Sequence, residues 1–80
     1  MLTELVRTED IIDAKYDSSN ISSSKFEIDT DTLYITFIKG NMTYKFLNVD
    51  PIDYTTFQNA ESTGKAFIES IKSKYKGEKI

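Results

Sequence analysis

The side chains that most often carry catalysis are missing from this chain, which has no cysteine and no histidine among its 80 residues. Thiolate nucleophiles, imidazole bases, disulfides and Cys/His zinc sites are thereby excluded. Hydroxyls, carboxylates, amines and aromatic faces remain. Ser62-Thr63-Gly64-Lys65 joins hydroxyls, a glycine and a lysine at the opening of a predicted helix, where free N–H groups and the helix dipole can hold a phosphate. It is not a P-loop, because the earlier glycine is missing and Ala66 stands where magnesium needs Ser or Thr. A helix cap with a glycine for close packing is the simpler reading. Lys72, Lys74, Lys76 and Lys79 form a basic cluster suited to phosphates or an acidic partner, and equally to a solvated helix end. Asp29 and Asp31 could pair on calcium, but two carboxylates without further oxygens read as a turn. Glu4, Glu9, Asp10, Asp13 and Asp17 could mimic phosphates toward a basic host protein, or serve solubility. No acid sits alone in an apolar context that would raise its pKa. The expectation is therefore no catalytic residue, no metal, no cofactor and no enzymatic activity.

The elements that must position these groups follow from side-chain period. Residues 1–10 are ambiguous: Leu2, Leu5 and Val6 have helical spacing without a clear cap. Ile12, Ala14 and Tyr16 alternate with Asp13 and Lys15, which predicts a short strand ended by Asp17-Ser18-Ser19-Asn20. Ser22-Ser23-Ser24 suits a loop or a bulged strand start. Phe26 and Ile28, then Leu33, Ile35 and Phe37, then Met42, Tyr44 and Phe46 alternate with mostly polar residues, separated by Asp29-Thr30-Asp31-Thr32 and Lys39-Gly40-Asn41. Two-residue loops at Thr30-Asp31 and Gly40-Asn41 set Phe26 opposite Ile35, Ile35 opposite Phe46, and Phe37 opposite Tyr44. All the large apolar residues then share one face, and a slip of one residue would scatter them.

At Asp50-Pro51-Ile52-Asp53 the period changes to helical, with Asp50 as cap and proline in the first turn. Tyr54 and Phe57 point one way in a helix ending near Asn59-Ala60. Ser62 caps a second helix, in which Phe67, Ile68, Ile71 and Tyr75 make the apolar stripe and Gly77 the stop. The expected fold is α+β: an antiparallel β-meander of three to four strands followed by two C-terminal helices packed on one sheet face. Tyr44 and Phe46 could stack bases, but the helices must bury their stripes somewhere, so core packing is preferred. The opposite face carries Tyr34, Ile38, Leu47 and Lys45, with Tyr34 expected opposite Leu47. Either residues 1–16 cover this face, or it is an exposed patch that docks a partner protein or a second copy in a homodimer.

Eighty residues fit one domain. Eight acids stand against three bases in residues 1–31, and seven lysines against five acids in residues 32–80. Only the second half could track phosphates. No apolar run is long enough to span a bilayer and no signal-peptide pattern opens the chain, so a cytoplasmic protein without a membrane partner is expected.

Ser18-Ser19-Asn20-Ile21, the strand Leu33–Phe37, Gly40, Tyr44-Lys45-Phe46, Asn48-Val49-Asp50-Pro51, Ala60-x-Ser62-x-Gly64-x-x-Phe67, Ile71 and Tyr75 together resemble the KTSC domain. That short module occurs at the C-terminus of some lysyl-tRNA synthetases and as a stand-alone bacterial or phage protein. The order and spacing cover residues 18–75. Phe46 departs from the family's Tyr-x-Tyr, and Asp50 stands where the family often has a neutral residue. The resemblance implies a binding module that contacts nucleic acid, RNA in particular, and brings no catalytic residues. It divides the chain into an acidic N-terminal extension with an edge strand, residues 1–17, and a KTSC-like domain, residues 18–80. The alternative is a protein-interaction module, phage- or mobile-element-encoded, that binds or inhibits a host protein.

Overall fold

The computed structural model describes all 80 residues. One antiparallel sheet runs in chain order through β1 (Leu2–Arg7), β2 (Ile11–Tyr16), β3 (Ile21–Glu27), β4 (Thr32–Phe37), β5 (Thr43–Phe46) and, after the helices, β6 (Gly77–Lys79). The α+β class, the antiparallel order and the two helices agree with expectation; the three to four strands become six. β1 is an edge strand with no fully buried residue, so burial imposes no alternation on it, and its Leu2, Leu5 and Val6 mimic a helical spacing. β6 has only Gly77, Glu78 and Lys79, and exists through backbone pairing with β5. Gly77 therefore opens a strand as well as following a helix. A Cβ there would lie 2.6 Å from a ring carbon of Phe46, so only glycine lets the chain pass flat over that buried ring.

The loops are longer than expected, and the register is corrected accordingly. Four residues, 28–31, connect β3 to β4 and five, 38–42, connect β4 to β5, with Asp31, Gly40 and Asn41 at positive φ. Phe26 pairs with Leu33, Ile35 with Tyr44, and Leu33 with Phe46. Each pair differs from the expected one by two residues, an even slip, so every side chain keeps its face. Phe37 and Tyr44 meet edge to face at 5.6 Å on the same side. Ser23 follows a bulge at the start of β3.

Helix α1 (Pro51–Asn59) is capped by Asp50, whose carboxylate accepts from the Ile52 N–H at 2.8 Å. Its Tyr54 stacks on Phe26, with centroids 4.5 Å apart and planes 5° from parallel. Helix α2 (Thr63–Ala66), capped by Ser62, runs directly into a π-helical segment, Phe67–Lys72. The wider π turn keeps Phe67 and Ile71 in the core and turns Ile68 outward at 57% exposure, which corrects its place in the apolar stripe. The helices cover one sheet face. Strands β1 and β2 extend the sheet rather than fold across it, so the other face carries no covering layer. No helix is long and apolar enough to cross a membrane.

Candidate ligand-binding groove

The uncovered sheet face forms a shallow concavity of about 610 Å³ lined by residues that include Glu4, Asp13, Lys15, Lys25, Tyr34, Thr36 and Thr43. Its polar groups are largely engaged with one another. The Tyr34 hydroxyl donates to Glu27 Oε1 at 3.1 Å, and Lys25 Nζ lies 5.9 Å from the Tyr34 ring centroid. Burial, then Glu27, pushes the Tyr34 hydroxyl above its ordinary pKa. Thr36 and Thr43 share a hydroxyl contact at 2.9 Å, and Lys15 pairs with Glu4 at 3.5 Å. Tyr34 is opposite Lys45, not Leu47. Ile38 and Leu47 are half exposed but follow β4 and β5 in the turns, and neither lines this concavity. The face is a polar mosaic.

The other predicted sites are divided by the fold. Thr63 is buried and its hydroxyl accepts from the Met1 amino group, while Ser62 Oγ takes the Lys65 N–H and Lys65 Nζ stands 4.0 Å from Glu69. Of the four, Gly64 lines a groove. Of the C-terminal lysines, Lys74 is held by Asp53 at 3.0 Å and Lys76 is exposed. Lys72 lines a groove, and Lys79, paired with Tyr44, projects to the same side of the sheet as that ring. Asp29 and Asp31 lie in the β3–β4 turn, and no group of three acids gathers to hold an ion.

That groove, about 560 Å³, runs between the β4–β5 loop, helix α2 with its π segment, and the start of β6. Phe37, Tyr44, Phe46, Phe67 and Tyr75 give it aromatic walls; Ser19, Asn20, Lys39, Met42, Ile68 and Lys72 complete the lining, with Ile21, Gly64 and Gly77. No aspartate or glutamate is among them, in a chain of net charge −3. Phe67 meets Phe37 at 5.3 Å and Phe46 at 5.8 Å, both edge to face, so the walls brace one another. Both residues expected in the core line the groove: Phe46 is buried as expected, whereas Tyr44 is only half-buried. Lys39 and Lys72 take part in no ion pair.

Tyr75 is fixed from behind. Its hydroxyl donates to Asp53 Oδ2 at 2.6 Å and accepts from the Asp50 N–H at 3.0 Å. The Tyr75 hydrogen bond, then that of Lys74, holds the Asp53 carboxyl below its ordinary value of 3.8. Burial, then Asp53, raises the Tyr75 hydroxyl above 10.0. A lowered carboxyl stabilises the fold fully above pH 3.8 and loses that contribution as pH falls through the lower folded value. A raised phenol contributes fully below pH 10.0 and loses its contribution above it. Asp53→Asn should therefore flatten the acid limb of a stability–pH curve measured by urea unfolding; an acid limb identical to the wild type would remove this clamp from the account.

Asn20, Phe37, Met42 and Ile68 escaped sequence reasoning as site residues. The available signal was that the family-like motifs, scattered along the chain, had to converge: Ser19, Asn20, Ile21, Tyr44, Phe46, Gly64, Phe67 and Tyr75 all line this groove. The model of the KTSC domain family matches residues 17–75. The crystal structure of the KTSC domain protein YPO2434 from Yersinia pestis superposes with a TM-score of 0.78 at 31% identity, over 88% of this chain and 97% of that one. A search of curated proteins gave no match. With the family pattern spanning most of the chain and the fold shared, the chain belongs to the KTSC domain family.

Proposed function

We propose that this chain is a non-catalytic binding module that takes single-stranded RNA in the aromatic groove. One observation carries the reading: the groove joins exposed lysines to aromatic walls and contains no acid. Bases stack on aromatic side chains whatever their identity, and lysines meet the phosphates beside them. Lys39, Lys72 and the neighbouring Lys79 supply the cationic margin, in the half of the chain where lysines outnumber acids. The protein-interaction alternative draws on the apolar lips Met42 and Ile68, but gives the unpaired lysines no role.

A labelled, unstructured RNA of about ten nucleotides, titrated by fluorescence anisotropy, tests the reading. Affinity should fall between about 50 and 200 mM salt, with a log–log slope near −0.7 per phosphate contacted. Tyr44→Ala should weaken binding by about 5–150-fold, the equivalent of ~1–3 kcal/mol for one stacked base. Absent or salt-independent binding sinks the proposal, and full affinity in Tyr44→Ala displaces it from this groove.

A further inference from the structure

The chain holds two sulfur atoms, one in Met1 and one in Met42, and of the two only Met42 lines the groove. Its stem is fixed, since the Met42 carbonyl accepts from the Phe37 N–H at 2.8 Å where β4 meets the loop to β5. Its side chain is half-buried and lies along Gly40. A Cβ on that glycine would stand 3.5 Å from Met42 Cγ and Cε and 3.8 Å from Sδ, so Gly40 leaves that flank of the thioether without a side chain to cover it. With Ile21 fully buried, Met42 and Ile68 are the accessible apolar side chains of the groove that are not aromatic. A thioether is unbranched and polarizable, which suits a lip that must fit against stacked rings. It is also the one group in the groove that a mild two-electron oxidant converts.

From this we infer that Met42 is an oxidation site, and that its conversion to the sulfoxide by a hydroperoxide weakens the hold on a bound strand. The inference rests on the RNA-binding reading above and adds a control to it. A sulfur lone pair attacks the near peroxide oxygen, the O–O bond breaks and an S–O bond forms. The departing hydroxide takes up the second proton as water, so sulfur is oxidised by two electrons and the peroxide is reduced. The step needs no thiol and no metal. It replaces an apolar lip by a strongly hydrated, chiral S–O group. A base that covers this lip must then strip the oxygen of water, and no donor on a stacked ring face repays it. The lysines keep their charge, so the part of the affinity that responds to salt is untouched.

The test treats the full chain with hydrogen peroxide and locates sulfoxide at Met1 or Met42 by mass spectrometry of its peptides. The labelled RNA is titrated before and after, with a thermal melt of each sample to verify folding. Affinity should fall by about fivefold or more, the low end of the cost of one dry, unpaired polar group, with the log–log salt slope unchanged. Methionine sulfoxide reductases should restore it. Met42→Leu, measured against its own untreated affinity, should lose nothing on oxidation, and Met42→Gln should bind weakly without any oxidant. Saturating RNA should slow oxidation at Met42 and leave Met1 unaffected. Unchanged affinity with Met42 converted overturns the inference and leaves the RNA reading standing; so does a loss that persists in Met42→Leu, or oxidation confined to Met1. Oxidation of Met42 at one rate with and without RNA overturns it and moves the strand out of this groove. No binding before oxidation overturns both the inference and the RNA reading.

Discussion

Phe57→Ala should cost about 3–5 kcal/mol of folding stability, the range for truncating a fully buried phenylalanine. Phe57 has no exposed surface and sits where the two helices and the sheet meet: its ring contacts Tyr16 at 5.4 Å, Tyr54 at 6.4 Å and Phe67 at 6.5 Å. Those neighbours are rings held by further rings, so little can move into the vacated space. A chain of this size buries only ~60% of its unfolded surface, and small domains are stable by about 5–15 kcal/mol at most, so one such loss removes much of the margin. At roughly 4–8 °C per kcal/mol, the midpoint of a thermal melt should drop by about 12–40 °C. Because Phe67 also walls the groove, RNA binding should weaken alongside. A melt within ~5 °C of the wild type would mean the core is not organised around this ring.

Alternation made the covered face of the sheet legible, and little else about the sheet. Phe26, Leu33, Ile35 and Phe46 read as inside because they alternate with mostly polar residues, and a register error of two residues at both loops left that assignment untouched. Loop length was the weak link. Turn chemistry marks where a chain reverses, but Gly40-Asn41 suits a two-residue loop as well as part of a five-residue one. β1 and β6 lay beyond this kind of inference, because one shows no burial period and the other has three residues held by backbone pairing. The same limit hid the outward turn of Ile68: a stripe drawn at 3.6 residues per turn cannot foresee a π segment.

The groove was half legible. Tyr44 and Lys72 were singled out on chemical grounds, but as a core residue and a member of a tail cluster, not as neighbours. What joins them is β6, which brings Lys79 opposite Tyr44 and packs Gly77 on Phe46. Once that strand is in place the C-terminal lysines separate by function: Lys74 is committed to Asp53, whereas Lys72 and Lys79 flank the groove. The aromatic wall is likewise built from pieces far apart in sequence, since Tyr75 closes it only because Asp50 and Asp53 at the start of α1 hold its hydroxyl.

Reversing Lys39 and Lys72 together, Lys39→Glu with Lys72→Glu, should cut RNA affinity by about a hundredfold at low salt. A lysine about 6 Å from a phosphate in water contributes roughly 0.7 kcal/mol. Making it a glutamate turns that attraction into an equal repulsion, about 1.4 kcal/mol or tenfold for each site. Both residues are exposed and unpaired, so folding should be nearly unaffected and the loss should shrink toward nothing near 1 M salt, where the screening length is about 3 Å. The control is Lys25→Glu with Lys45→Glu, two lysines that flank Tyr34 on the uncovered face. It changes net charge by the same amount on the wrong side of the sheet, so only long-range repulsion acts, and that is weak beyond about 10 Å at 0.1 M salt. If the two double variants lose affinity equally, overall charge governs binding and the groove has no special part in it. If the control loses more, the ligand lies across Tyr34 and Lys45, on the polar mosaic of the open sheet.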